Sequence, residues 1–100
     1  MIIKFVAQAR DELTDAVAYY EGELSGLGYR FWEEVDEHIS WIEKNHEVPR
    51  LRPGGYRRVN LKIFPYYISY IVRDSAIWIL ANAHGHTRPE YWIDRPDEIK

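Results

Sequence analysis

The stretch ANAHGHTRPEYWIDR, residues 81–95, gathers two histidines, two arginines, a glutamate, a tyrosine and a tryptophan into one short run. Such a set admits metal coordination, acid–base work on a phosphodiester, or no chemistry at all, with the aromatic residues anchoring the chain end. His84 and His86 stand at i and i+2, so a strand would place both imidazoles on one face as two metal ligands. A metal requires more ligands than two, and Glu90 is the one further candidate nearby, so no metal and no cofactor is expected. Pro89 has no N–H to donate and stops a strand, while Tyr91 and Trp92 can fold back over a sheet edge or a helix face. The run therefore reads mainly as a lock for the chain end, with Arg88 as its one functional charge.

The elements that must position these residues follow from periodicity. MIIKFV is apolar and short, a strand over residues 2 to 5. From Ala9 the period changes, and Leu13, Ala16, Val17, Tyr20 and Leu24 form one helical stripe. Asp11, Glu12, Asp15, Glu21 and Glu23 occupy the other faces of that helix. Gly26 and Gly28 in SGLG supply a stop and a tight turn. A second helix carries Phe31, Val35, Ile39 and Ile42 on its stripe, with Trp32 and Trp41 flanking it, and ends near Lys44 and Asn45. So short a link predicts an antiparallel helical hairpin.

HEVPRLRPGG has no periodicity and reads as a loop. YRRVNL, FPYYISYIV and AIWILANAH follow, rich in Tyr, Ile and Val and joined by short links, which makes antiparallel neighbours the economical arrangement. Alternation sends Ile77, Ile79, Ala81 and Ala83 to the helix-facing side and Trp78, Leu80, Asn82 and His84 to the other. The order β-α-α-β-β-β predicts an α+β fold, an antiparallel sheet with a helical hairpin packed on one face, in a single domain over residues 1–100.

Composition narrows the function classes. Hydrophobic residues make up 46 % and charged residues 29 %, the balance of a globular chain rather than a disordered one. No apolar stretch approaches the ~20 residues of a membrane helix, and acidic residues arrive too soon for a signal peptide, so the expected site is the cytoplasm without membrane contact. There is no cysteine, which removes thiol nucleophiles and Cys-ligated zinc. The net charge of −3 divides unevenly: residues 1–47 carry four Lys/Arg against eleven Asp/Glu, and residues 48–100 carry nine against five. The second half can offer a basic surface to an anionic partner that the first half repels.

Taken together, AxxELTDAVAYYE, GLGYRFWEEV, GYRRVNLKIFPYYISYIV and AHGHTRPEYWIDR resemble, in order and over nearly the whole chain, the RelE/ParE toxin superfamily of type II toxin-antitoxin systems, and more closely its ParE-like, plasmid-stabilisation branch. The resemblance implies the β-α-α-β-β-β fold, a cognate antitoxin and growth arrest by the free toxin. It also implies one of two targets: DNA gyrase, bound without chemistry, or mRNA cut on the ribosome.

For the second target, metal-free RNA cleavage needs a group to take the 2′-hydroxyl proton, cations around the phosphorane and an acid for the leaving oxygen. The RelE-like pattern implies Arg58, Lys62, Arg88 and Tyr91 as catalytic candidates, with Arg57 beside them. Thr87-Arg88 stands where relatives often have an arginine pair, and lysine is scarce, so the non-enzymatic reading is favoured. For a partner, the surface expected from the basic loop and the first strand after it comprises Leu51, Arg52, Tyr56, Arg57 and Arg58, with Trp92. Exposed aromatics or a sheet edge would serve a homodimer.

Overall fold

The computed structural model describes residues 1–99; Lys100, the last residue of the expected domain, lies outside them. Strand β1 (Ile2–Phe5) leads into α1 (Ala7–Glu23) and α2 (Leu27–Asn45), followed by β2 (Arg57–Asn60), β3 (Tyr66–Arg73) and β4 (Ala76–His84). A single 3₁₀ turn, Arg95–Glu98, follows β4. The α+β architecture and its element order are those the sequence predicts.

The sheet runs β1-β4-β3-β2, so the last strand lies inside and the first on an edge. β2, β3 and β4 are antiparallel neighbours, whereas β1 joins β4 in parallel, which makes the sheet mixed rather than wholly antiparallel. No tight turn links β1 to its partner, and the chain between them, which includes the helical hairpin, is long enough for a crossover. Between β3 and β4 the link is tight. Asp74 and Ser75 both have positive φ, 54° and 60°, the two-residue hairpin loop whose twist matches that of its strands.

One irregularity redirects the alternation of β4. The partner of Ser69 is Ala81, yet the partner of Tyr70 is Ile79, so Leu80 is an extra residue in the ladder. Ile77 and Ile79 face the helices as predicted, on the side where Tyr70 reaches α2. Beyond the bulge the expectation fails. Asn82 and His84 turn toward the helices, His84 against the Tyr66 ring that also packs on Phe31, and Ala81 and Ala83 turn to the opposite face.

Both helices cover that sheet face. Phe31, Val35 and Ile42 of α2 are buried, and α1 contributes Ala9 and Ala16, small side chains that let the helix lie close on the strands. Leu24, expected on the α1 stripe, is 65 % exposed because the helix has ended and the chain is extended there. Gly26 makes the turn with φ of 89°. Gly28, expected to belong to that turn, lies inside α2, where a Cβ would stand 2.5 Å from the Val17 carbonyl oxygen. It is a close-packing glycine.

Two carboxylates hold irregular segments to this frame. Glu21 accepts the N–H groups of Gly26 and Gly28 at 2.9 and 3.0 Å, satisfying amides at the start of α2 that no helical carbonyl can reach. Glu34, buried on α2, accepts the N–H groups of Lys62, Ile63 and Phe64 at 2.9, 2.9 and 3.2 Å. The β2–β3 connection is thereby fixed against the helix. Glu34→Ala leaves these amides without acceptors and is expected to cost about 3 kcal/mol in urea unfolding. A loss below about 0.5 kcal/mol, the range of ordinary surface substitutions, would remove Glu34 from this role.

Candidate functional site

Chain-end residues are placed by the carboxylate of Glu12. Its Oε1 accepts the main-chain N–H of Asn82 at 3.1 Å and a bond from Arg95 Nη1 at 2.9 Å. Its Oε2 accepts Arg95 Nη2 at 3.1 Å and the hydroxyl of Tyr91. Arg95 also donates to the Leu80 carbonyl at 2.9 Å. Burial and the neighbouring Glu12 carboxylate raise the Tyr91 hydroxyl well above the usual phenol range, so it stays protonated and donating.

Trp92 is fully buried on the sheet face opposite the helices, edge-on to Tyr56 and Tyr67, with Nε1 donating to the Tyr67 hydroxyl at 2.8 Å. Tyr56 is buried beside it and donates its hydroxyl to Glu90, which sits at a positive φ of 57°. Arg73 Nη1 reaches the Pro96 carbonyl at 3.0 Å. Residues 90–96 thus form a strap over the sheet, the lock that the sequence suggests. The same burial corrects the expected partner surface: Tyr56 and Trp92 are core residues that no partner can touch in this conformation.

The remaining catalytic candidates line different grooves or lie exposed outside them. Arg58 lies over the Tyr67 ring at 3.8 Å, bonds Asn60 Oδ1 at 2.9 Å and lines a groove with His86 and Phe64. Lys62 is exposed and lines a different groove, with Glu37, His38, Trp41 and Val59. Arg88 is exposed in the turn after β4. Tyr91 lines a third groove, on the α1 side. Arg57 is turned back to the Pro49 carbonyl at 2.9 Å. A general acid must stand within reach of the cations that hold its phosphate, and a phenol with a raised pKa gives up its proton poorly at neutral pH.

His84 Nδ1 accepts the His86 N–H at 3.0 Å, a local turn contact. Among the described residues, no three His, Asp or Glu side chains come together as a metal site. Leu51 and Arg52 of the expected partner surface are accessible, Leu51 at 59 %, on a turn closed by the Arg52–Tyr56 bridge.

Sequence reasoning missed one feature beside them. Leu61 N–H bonds the Tyr66 carbonyl, so the alternation of an antiparallel ladder turns the main-chain groups of Arg58 and Asn60 away from β3. Those groups have no partner among the described residues, and β2 is an open edge beside the Trp41–Val59 groove. Only the strand order reveals it. Glu12 and Glu34 were missed as well, although Glu34 stands three residues after Phe31 and Glu12 three after Ala9, on the buried stripes.

A helical hairpin on a mixed β1-β4-β3-β2 sheet, strapped by its chain end, places the protein among small α+β domains, with grooves and an open edge as its accessible features. Residues 3–89 match the family model for the ParE toxin of type II toxin-antitoxin systems, parDE, and the chain belongs to that family. Among solved structures it is similar to a chain of the chromosomal ParDE TA system from P. aeruginosa, with a TM-score of 0.64 and 18 % identity, covering 84 % of this chain and 95 % of that one. At that identity the likeness concerns the fold. No curated protein sequence matches. No helix among the described residues is long and apolar enough to cross a membrane.

Glu12→Gln removes the charge that holds Arg95 and is expected to cost about 2 kcal/mol and to speed amide exchange at Asn82 and in the strap; unchanged exchange there would contradict the lock. Burial holds the Tyr70 hydroxyl, which donates to the His46 carbonyl at 2.8 Å, protonated up to about pH 12. A folded pKa above the unfolded value gives stability that is complete below about pH 10 and lost as pH rises toward 12. Urea midpoints should therefore fall across that window, and less steeply in Tyr70→Phe.

Proposed function

We propose that this chain is the toxin of a ParDE-type pair: a non-enzymatic inhibitor that arrests growth by binding a cellular target, DNA gyrase being the candidate, and that a cognate antitoxin neutralises. Membership of the ParE family supports the toxin role. The observation that supports the non-enzymatic part is the commitment of the Tyr91 hydroxyl to Glu12, with Arg58, Lys62 and Tyr91 lining three different grooves.

The open edge of β2 is the surface proposed for the antitoxin. Arg58 and Asn60 offer main-chain donors and acceptors to an added strand, and the Trp41–Val59 groove beside them takes an apolar side chain. Leu51, Arg52, Arg57, Arg58 and Lys62 surround the edge, so an acidic, apolar segment fits it. For the self-association that exposed aromatics suggest, the Tyr29–Trp32 stack on α2 is the available contact.

Induced expression in a bacterial host tests the reading. Growth arrest with DNA-damage signalling and intact mRNA is expected, and Tyr91→Phe should remain toxic at matched folded protein levels. Rapid loss of translation with mRNA cut on the ribosome, abolished by Arg88→Ala, would replace this reading with the RelE-like endonuclease. Harmless expression of folded protein would exclude both.

A further inference from the structure

A cleft between α1 and the far end of β4, apart from the β2 edge, has Glu12, Asp15, Tyr19, Tyr66, Asn82 and Tyr91 among its lining, with His84 against the Tyr66 ring and Thr87 also lining it. Asn82 is 2 % exposed, and neither the oxygen nor the nitrogen of its carboxamide has a hydrogen-bond partner among the described residues. Burying an amide unpaired is costly, and nearly all buried polar groups avoid it. The Asn82 carboxamide thus keeps both a donor and an acceptor without a partner among the described residues.

The rest of the cleft defines what that is. Glu12 is already neutralised by Arg95, whereas Asp15 is exposed and in no ion pair among the described residues. Tyr19 and Tyr66 add aromatic faces. A carboxylate at the rim, π faces on the walls and an amide oxygen at depth are the complement of a cation, and the unpaired Asp15 disfavours an anion. A planar guanidinium suits this combination better than an ammonium, since it stacks on rings and forks its donors between two acceptors.

We propose that the cleft receives an arginine side chain of a partner polypeptide, its guanidinium lying against Tyr19 and Tyr66, paired with Asp15 and hydrogen-bonded to the Asn82 carboxamide oxygen. A main-chain carbonyl of the same segment accepts from the Asn82 amide nitrogen, which a free amine cannot supply. The amide atoms are closed to solvent, so insertion draws apart the side chains at the mouth. The inference does not depend on the toxin reading, because it rests on this cleft alone.

The test is an NMR titration of the isotope-labelled protein with acetyl-Gly-Arg-Gly-amide, its lysine counterpart and spermidine. Saturable shifts centred on the Asn82 side-chain amide, Asp15, Tyr19 and Tyr66 are expected, strongest for the arginine peptide. Asp15→Asn should weaken binding about fivefold, the worth of one exposed charge contact. Asn82→Leu, similar in volume, should lose the arginine response while keeping or raising the melting temperature, because it removes an unpaired buried amide. Shifts that fail to saturate or spread over the acidic helices would overturn the proposal. So would tighter binding of spermidine, an unaltered Asp15→Asn, or an Asn82→Leu protein that folds less stably.

Discussion

The carboxylate of Glu12 completes a sheet edge that the backbone leaves unfinished. β1 pairs with β4 only as far as Ile79, whose carbonyl takes the Val6 N–H before the chain turns into α1. β4 continues to His84. Past that point the N–H of Asn82 would lie under the helix without a partner, at the cost of a buried, unmade hydrogen bond. Glu12 supplies the acceptor from α1, and Arg95 caps the Leu80 carbonyl while pairing with the same carboxylate. A helix, the sheet and the chain end are thus joined at one charge, and the seating of Tyr91 and Trp92 follows from it.

Glu21 and Glu34 obey the same rule. Each accepts main-chain N–H groups where the chain leaves regular structure, Glu21 at the interhelical turn and Glu34 at the β2–β3 connection. The acidic first half of the chain is therefore partly architectural. A carboxylate has lone pairs for several donors and no donor of its own, so it suits clustered amides that a helix or a ladder cannot serve. That use accounts for three of the acidic residues without any anionic surface being offered to a partner.

The elements and their order were legible because each helix and strand repeats its apolar residues at its own period, and boundaries such as Asn45 and Phe5 fall where the period breaks. The parallel placement of β1 was not legible, since a short apolar strand fits either edge and nothing local selects one. Nor was the bulge at Leu80, which turns Asn82 and His84 toward the helices; one inserted residue leaves no mark on composition. Glu12 reads as a solvated helix charge until the chain end is laid over it. Trp92 and Tyr56 carry the residue types of an interface, and only packing shows that they stabilise the strap instead.

Arg88 and Arg95 show how far residue type can carry a site assignment. Both are arginines of the same C-terminal stretch, and a motif reading singles out the one beside the histidines. Their surroundings separate them by a different criterion: Arg95 is bonded to Glu12 and Leu80, and removing it would strand a half-buried carboxylate, whereas Arg88 is exposed in a turn. A charge paired with a carboxylate inside the fold has less left for a partner than an exposed cation without such a pair. Arg88 and Lys62 qualify. They stand after β4 and between β2 and β3, in the basic half of the chain, where a side chain meets solvent rather than a carboxylate of the fold.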